Sequence, residues 1–358
     1  MNLETPESHP SLQSLGWRED LAEALTPQDA AFAPMRLSEV KRNRVMALGP
    51  SGLVELALPG DILTTRLAVG DWILADLEVG RIVRSLPRRS QISRKGVHHR
   101  AQSQLIASNI DTLFIVTSCN DDFNPARLER YVALALEAEA HPVIAITKID
   151  KPEGDTAENY QARAAAISDR VTAIAINAKD EASAGALTPF CGPGQTVALV
   201  GSSGVGKSTI ANALTGKRLD TGEAREDDAK GRHTTTSRSL HLMHAGGWLI
   251  DTPGMRELAL HDVGAGIDAV FEDISDLALT CKFNDCLHQS EPGCAIRKAI
   301  DAGDLDPARY ARWQKLKAED AFNTETLAEG RSRGKAFARE IKMAKRAKGA
   351  KNPGRKSR

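Results

Sequence analysis

One nine-residue stretch constrains the fold more than any other part of the chain. Gly201-Ser202-Ser203-Gly204-Val205-Gly206-Lys207-Ser208-Thr209 fits G-x-x-x-x-G-K-[ST], the pattern of a phosphate-binding loop. Such a loop needs a buried strand before it and a helix after it. The apolar run from Thr196 to Val200 supplies the strand, and the stretch from Ser208 to Thr215 reads as the helix. Glycines let backbone N–H groups curl round a phosphate, and the helix N-terminus adds partial positive charge. In that setting Lys207 reaches the β- and γ-phosphates, and the Ser208 hydroxyl ligates Mg²⁺.

The surrounding pattern, from about Gln104 to Leu260, is α/β. Strands are expected at Asp111–Thr117, Pro142–Thr147, Val171–Asn177, Thr196–Val200, Leu240–His244 and Trp248–Asp251. The clearest helix between them runs from Pro125 to Ala140, where Leu128, Tyr131, Val132, Ala135 and Leu136 recur at helical spacing. Alternation of this kind implies a mostly parallel sheet with ligands at the strand C-termini. Thr147-Lys148-Ile149-Asp150 closes one strand. A carboxylate there accepts from both N1–H and the 2-amino group of guanine; adenine offers neither donor, so Asp150 selects GTP over ATP. The Lys148 stem lies on the base in this reading, and Ile176-Asn177-Ala178-Lys179, after another strand, offers backbone contacts to it. Asp251-Thr252-Pro253-Gly254 is the other strand-terminal motif, with Asp251 and Gly254 in the position of a Mg²⁺ and γ-phosphate sensor. Between it and the phosphate loop, Gly231-Arg232-His233-Thr234-Thr235-Thr236 suits a switch segment whose Thr235 reaches Mg²⁺ when the γ-phosphate is present.

The flanks differ in texture. From about Met35 to Lys95, short strand-like runs alternate with turn signals such as Gly49-Pro50-Ser51-Gly52, which suggests a small OB-like barrel able to bind oligonucleotides. The segment from Arg84 to Arg100 is basic, with Arg84, Arg88, Arg89, Arg94, Lys95 and Arg100; it reads as a nucleic-acid contact or as a solvated loop. Residues 1–35 read as a loosely held extension. Towards the other end, Cys281, Cys286, His288 and Cys294 give C-x4-C-x-H-x5-C, the Cys₃His set of a closed tetrahedral zinc site that staples a small helical domain. Helices are expected at Phe271–Leu279 and over Ala295–Leu316, while Cys119 and Cys191 read as inert packing residues. The formal net charge is +0, but it is unevenly spread. Twelve lysines and arginines between Arg331 and Arg358 face a single acid, Glu340, so an acidic body carries a basic tail that favours nucleic acid. No twenty-residue apolar run and no apolar signal core is visible, which makes a cytoplasmic protein with no membrane association the expectation.

The order of the motifs is the most specific feature. An ordinary GTPase runs phosphate loop, switch Thr, D-x-x-G, then N-K-x-D; here TKID precedes the phosphate loop, GRHTTT and DTPG. With a barrel before this set and a Cys/His cluster after it, the chain closely resembles the ribosome small-subunit-dependent GTPase A family of bacteria. Asp122-Phe123-Asn124, Arg127-Leu128 and Arg130-Tyr131 belong to the same likeness, which runs from about Leu12 to about Trp313. The resemblance implies a cytoplasmic monomer that binds the 30S subunit and its 16S rRNA late in maturation. It also implies slow GTP hydrolysis stimulated by that subunit, release of other assembly factors such as ribosome-binding factor A, one structural zinc ion, and magnesium bound with GTP. The family usually has Asn where this chain has Thr147, so somewhat weaker guanine binding is expected. Met255 stands after DTPG, where a thioether cannot orient water, and His233 is the candidate for that duty.

The resulting expectation is multidomain. An N-terminal extension (1–35) precedes an OB-like β-barrel (36–100). A central α/β circularly permuted P-loop GTPase domain (101–262) follows, then a small α-helical zinc-binding domain (263–320) and a basic, disordered tail (321–358). Two other readings stay open at this point: an RNA-binding placeholder that senses GTP with little turnover, and an ATP-using P-loop enzyme such as a small-molecule kinase.

Overall fold

The computed structural model describes residues 10–41, 44–58, 64–94, 104–216, 239–251 and 262–324. Five strands open the chain: β1 (Ala33–Val40), β2 (Arg44–Gly49), β3 (Gly52–Ala57), β4 (Trp72–Asp76) and β5 (Arg81–Ser85). They follow one another round a ring, β1-β2-β3-β5-β4, and the β1–β4 pairing closes it into a barrel. Alternate residues Met35, Leu37, Val45, Ala47, Leu56, Ile73, Ala75 and Ile82 fill its interior. Strand β1 had no strand signal in the sequence, because Pro34 and Arg36 interrupt its apolar pattern. Pro34 and Arg36 both sit within the β1–β4 ladder, facing Leu74 and Trp72.

Arg36 is the reason residues 11–21, within the stretch expected to be loosely held, are firmly packed. It is 1 % exposed and pairs with no carboxylate among the described residues; its guanidinium donates to Leu15 O (2.6 Å), Asn109 O (3.2 Å) and Thr196 Oγ1 (2.8 Å). Burial pushes its pKa down to about 10. The Trp248 indole donates to Ser14 O at 2.7 Å, Trp17 meets Trp72 edge-on at 4.9 Å, and Leu15 and Leu21 are fully buried. Residues 11–21, with the short helix α1 (Glu19–Glu23), are therefore wedged between the barrel and the α/β sheet.

After the ribbon β6 (Gln91–Arg94) and β7 (Gln104–Ser108) come β8 (Thr112–Ser118), α2 (Pro125–Glu137), β9 (His141–Thr147), α3 (Ala157–Ala165), β10 (Thr172–Ala175), α4 (Glu181–Ala184) and β11 (Thr196–Val200). Helix α5 (Lys207–Thr215), β12 (Ser239–Leu242) and β13 (Trp248–Asp251) complete this part. The strand order is β10-β9-β8-β11-β13-β12, parallel except for β12. Every residue of β8 is buried, as a central strand of a two-faced sheet requires. Leu113 and Ile115 face the core that holds α2, whereas Phe114 and Val116 face the core that holds α5. Chain direction along the sheet reverses between β8 and β11, which is where a doubly wound sheet opens its crevice. Strand β12 also pairs with β1, Glu39 facing Ser239, so barrel and α/β sheet form one eleven-stranded sheet.

The helices α6 (Gly264–Val270), α7 (Glu272–Leu279), α8 (Ala295–Ala302) and α9 (Pro307–Thr324) end the described chain. The stretch expected as helix from Ala295 to Leu316 is two helices, broken at Gly303 (φ +80°) and restarted at Pro307. Helix α6 lies against α2 so closely that a Cβ on Gly266 would stand 2.1 Å from Ala133 O; only glycine fits. Helix α9 is fastened to α2 by a buried carboxylate. Glu129, 1 % exposed, accepts from Arg312 Nε at 2.9 Å with Arg309 at 3.8 Å, and Arg130 pairs with Glu319. Burial raises the Glu129 pKa despite these arginines. Removing one member of such a pair strands its partner, so Glu129→Gln is expected to lower unfolding stability by about 3 kcal/mol. The urea midpoint relative to the unchanged protein checks this.

The basic segment is corrected in part. Arg84 pairs with Asp29 at 2.6 Å, Arg88 with Asp71 at 2.6 Å and Arg89 with Asp111 at 3.3 Å. The Arg84 guanidinium holds the Asp29 carboxyl well below the usual range. These three arginines brace the barrel and its junction with the sheet, and are not free cations awaiting a polyanion. Residues 95–103, with Lys95 and Arg100, and the basic tail from Arg331 lie outside the described residues.

Candidate functional site

The phosphate-loop pattern leaves β11 and enters α5 as its spacing requires. Two glycines carry most of the geometry. Gly201 has φ +139° and passes so close to β8 that a Cβ would stand 2.2 Å from Val116 O. Gly206 has φ +102° and caps α5, a left-handed turn that a side chain would strain. Val205 between them is buried and anchors the loop in the α5-side core. Lys207 begins the helix and donates through Nζ to Gly201 O (2.8 Å) and to Ser202 O. Ser203 and Gly204 are exposed at the loop crest, and Ser208 and Thr209 are half-buried in the first turn.

The structure brings TKID to this loop across a separation of 58 residues. Thr147 is buried; its hydroxyl lies 2.5 Å from Val205 O and 3.1 Å from Thr117 O. Lys148 turns the chain at φ +61°, Ile149 is half-buried and Asp150 is exposed. The Ile176–Lys179 turn stands at the same sheet edge, tied on by Ile176 N to Ile146 O and by Ser183 Oγ accepting from Asn177 N. On the other side of β11, Asp251 ends β13 one residue past the Ala198–Ile250 pair. Burial raises its carboxyl pKa, and nearby His241 works against that rise. Three strand C-termini thus converge on the phosphate loop with the residue types a magnesium nucleotide needs: an ammonium, a hydroxyl and two carboxylates. His233, Thr235, Gly254 and Met255 lie outside the described residues. Nothing in the residue pattern marks the end of β8 as part of the site, although Val116 O and Thr117 O form one wall of the loop.

The four metal-type residues also come together. The ligand atoms of Cys281, Cys286, His288 and Cys294 all lie within 4.8 Å of one another. His288 Nδ1 is 3.5 Å from the sulfurs of Cys281 and Cys294, and those sulfurs are 4.0 Å apart. Tetrahedral edges for a zinc ion with bonds of about 2.3 Å to sulfur and 2.0 Å to nitrogen are roughly 3.5–3.8 Å, so the donor set fits such an ion. Ala295 N donates to Cys281 Sγ at 3.4 Å, and Tyr310 donates to His288 O at 3.1 Å. Cys119 and Cys191 are fully buried elsewhere, and burial pushes the Cys191 thiol up to about 12.

Comparison with known proteins agrees with this geometry. A family model described as RsgA GTPase matches residues 85–261. The small ribosomal subunit biogenesis GTPase RsgA of Mesorhizobium japonicum is 50% identical, covering 88% of this chain and 92% of the relative. The small ribosomal subunit biogenesis GTPase RsgA 2 of Vibrio vulnificus is 44% identical, covering 90% and 92%. Among solved structures, YjeQ from Thermotoga maritima superposes with a TM-score of 0.59 at 22% identity, over 80% of this chain and 97% of that one. YloQ, a circularly permuted GTPase, does so at 0.57 and 22%, over 85% and 100%. A circularly permuted GTPase sheet, a five-stranded barrel before it, a Cys/His cluster after it and relatives 44% and 50% identical along nearly the whole chain agree: the chain belongs to the RsgA GTPase family.

Proposed function

We propose that this protein is a GTP hydrolase of small ribosomal subunit biogenesis: it binds the 30S subunit through 16S rRNA, and that subunit stimulates its slow GTP hydrolysis. The observation that carries the reading is the junction of the TKID strand with the phosphate loop at Thr147 and Val205, on a chain half identical to a small-subunit biogenesis GTPase. Asp150 reads guanine, Lys148 covers the base, and the backbone from Gly201 to Thr209 cradles the phosphates. Lys207 neutralises the β- and γ-phosphates, Ser208 and Thr235 hold Mg²⁺, and Asp251 with Gly254 senses the γ-phosphate. His233 orients the attacking water. Zinc bound by Cys281, Cys286, His288 and Cys294 is structural, since four protein ligands leave no open position. The barrel, whose ring order suits an OB-type fold, and the basic tail hold rRNA. Hydrolysis times release of the protein and of other assembly factors. The protein works as a monomer in the cytoplasm; no helix among the described residues is long and apolar enough to cross a membrane.

The test is GTP hydrolysis by the purified protein with and without 30S subunits. Strong stimulation supports the reading, and tight binding without stimulation favours a nucleotide-sensing placeholder, which Met255 after DTPG also favours. Base selection has its own check. Xanthine carries a carbonyl where guanine carries the 2-amino group, so Asp150→Asn is expected to weaken GTP and favour XTP by about a hundredfold or more in competition binding. An unchanged GTP-to-XTP ratio removes Asp150 from the base site.

A further inference from the structure

Asp150 stands on a loop whose own side chains bury little. Residues 150–154 are all exposed, and the turn that presents Asp150 is closed by Lys151 N donating to Lys148 O at 3.0 Å. Two hydrogen bonds at Glu153, three residues on, fasten the loop to the body of the protein. Glu153 N donates to Cys119 O, just past β8, at 2.8 Å, and Glu153 O accepts from the Tyr160 hydroxyl at 2.6 Å. Tyr160 lies in the first turn of α3 and is buried. Its ring centroid is 5.1 Å from that of Phe123, which belongs to the Asp122-Phe123-Asn124 stretch and is buried too. The Arg163 guanidinium, one helical turn beyond Tyr160, covers both rings, 4.6 Å from Phe123 and 5.6 Å from Tyr160. The place of the hydroxyl is therefore set by packing in the body of the protein and not by the loop that it holds.

We infer that Tyr160 is a positioning residue for guanine recognition: by donating to Glu153 O it fixes the loop that carries Asp150, so that the carboxylate meets N1–H and the 2-amino group of the base together. This rests on the reading that Asp150 contacts guanine. A paired contact of this kind tolerates little displacement, because a carboxylate that drifts or tilts keeps one donor in line and loses the other. Tyr160 acts on the nucleotide through Asp150 alone, and the Phe123 and Arg163 side chains act by keeping the Tyr160 ring in place.

The experiment is nucleotide binding by Tyr160→Phe, which keeps the ring and loses the donor, read by displacement of a fluorescent GDP with GDP or IDP. IDP has N1–H but lacks the 2-amino group, so it needs one of the two contacts only. Tyr160→Phe is expected to weaken GDP about fivefold and IDP no more than about twofold, the scale of one lost hydrogen bond. The GDP-to-IDP preference therefore falls, whereas a general loosening of the nucleotide site weakens both alike. In an Asp150→Ala background the same substitution is expected to leave GDP affinity within about 1.5-fold, because its route to the base is gone. An unchanged preference in Tyr160→Phe overturns the proposal, and so does an undiminished loss of GDP affinity in the Asp150→Ala background. If Asp150→Ala by itself leaves the GDP-to-IDP preference unchanged, the base reading fails and takes this proposal with it. Should Tyr160→Phe not fold, Phe123→Leu keeps the hydroxyl but loosens its ring. It is expected to lower the same preference, and an unchanged preference there overturns the proposal equally.

Discussion

Lys207→Ala is expected to reduce 30S-stimulated GTP hydrolysis at least about a hundredfold, the scale seen when one preorganised charge-stabilising donor is removed from a reacting phosphate or oxyanion. The structure gives two reasons. The ammonium stands at the start of α5, where the helix N-terminus already favours anions, so its charge adds to an existing field. It also donates to Gly201 O and Ser202 O and so ties the two ends of the loop together. Phosphate release measured with and without 30S subunits checks the prediction, and a rate within threefold of the unchanged protein would sink it. Nucleotide affinity measured in parallel separates a lost loop shape from a lost transition-state contact. A variant that binds GTP normally but does not turn over has lost the second alone.

Replacing Cys294, one of the four residues proposed to hold zinc, is expected to have the largest effect on structure. Cys294 is buried and precedes the first turn of α8, while Cys281, thirteen residues earlier, ends the turn after α7 and accepts from Ala295 N. The loop between them contains little apolar material of its own: Phe283 and Leu287 are exposed. If the four residues hold zinc as proposed, the order of this loop depends on the ion, because metal binding then supplies folding free energy for the segment. One zinc per chain is expected in the unchanged protein and none in Cys294→Ser. Amide exchange across residues 281–303 should accelerate at least about a hundredfold, while β8 and β9 keep their protection. A full metal content in the variant, or none in the unchanged protein, is the result that defeats this assignment.

Where the sequence could be read, it was read through local signals. The strands of the α/β sheet were located within two residues at every end, because apolar runs such as Leu113–Val116 at the centre of β8 leave little choice. The Cys/His spacing and the phosphate loop were legible because their chemistry is local. The failures share a different cause. Arg84, Arg88 and Arg89 looked like free cations because Asp29, Asp71 and Asp111 lie 17 to 55 residues away in the chain. Arg36 broke the pattern of β1 because the carbonyls that satisfy it, those of Leu15, Gly70 and Asn109, lie 21 to 73 residues away in the chain. The contact from Thr147 to the phosphate loop was hidden for the same reason, since its acceptor Val205 O lies 58 residues further along the chain.

The position of β8 bears on how the chain is made. It pairs with β9 on one edge and with β11 on the other. On a ribosome delivering about 5–20 residues per second, β9 follows β8 promptly, but β11 arrives several seconds later. During that interval one edge of a strand that is wholly buried in the finished fold has no partner, and an open edge of this kind invites pairing with another chain. An unpermuted GTPase makes its phosphate-loop strand first and never presents this half-sheet. The rearranged order therefore gives the nascent protein a period in which it cannot yet hold nucleotide and depends on shielding, until residues 196–200 emerge and close the gap.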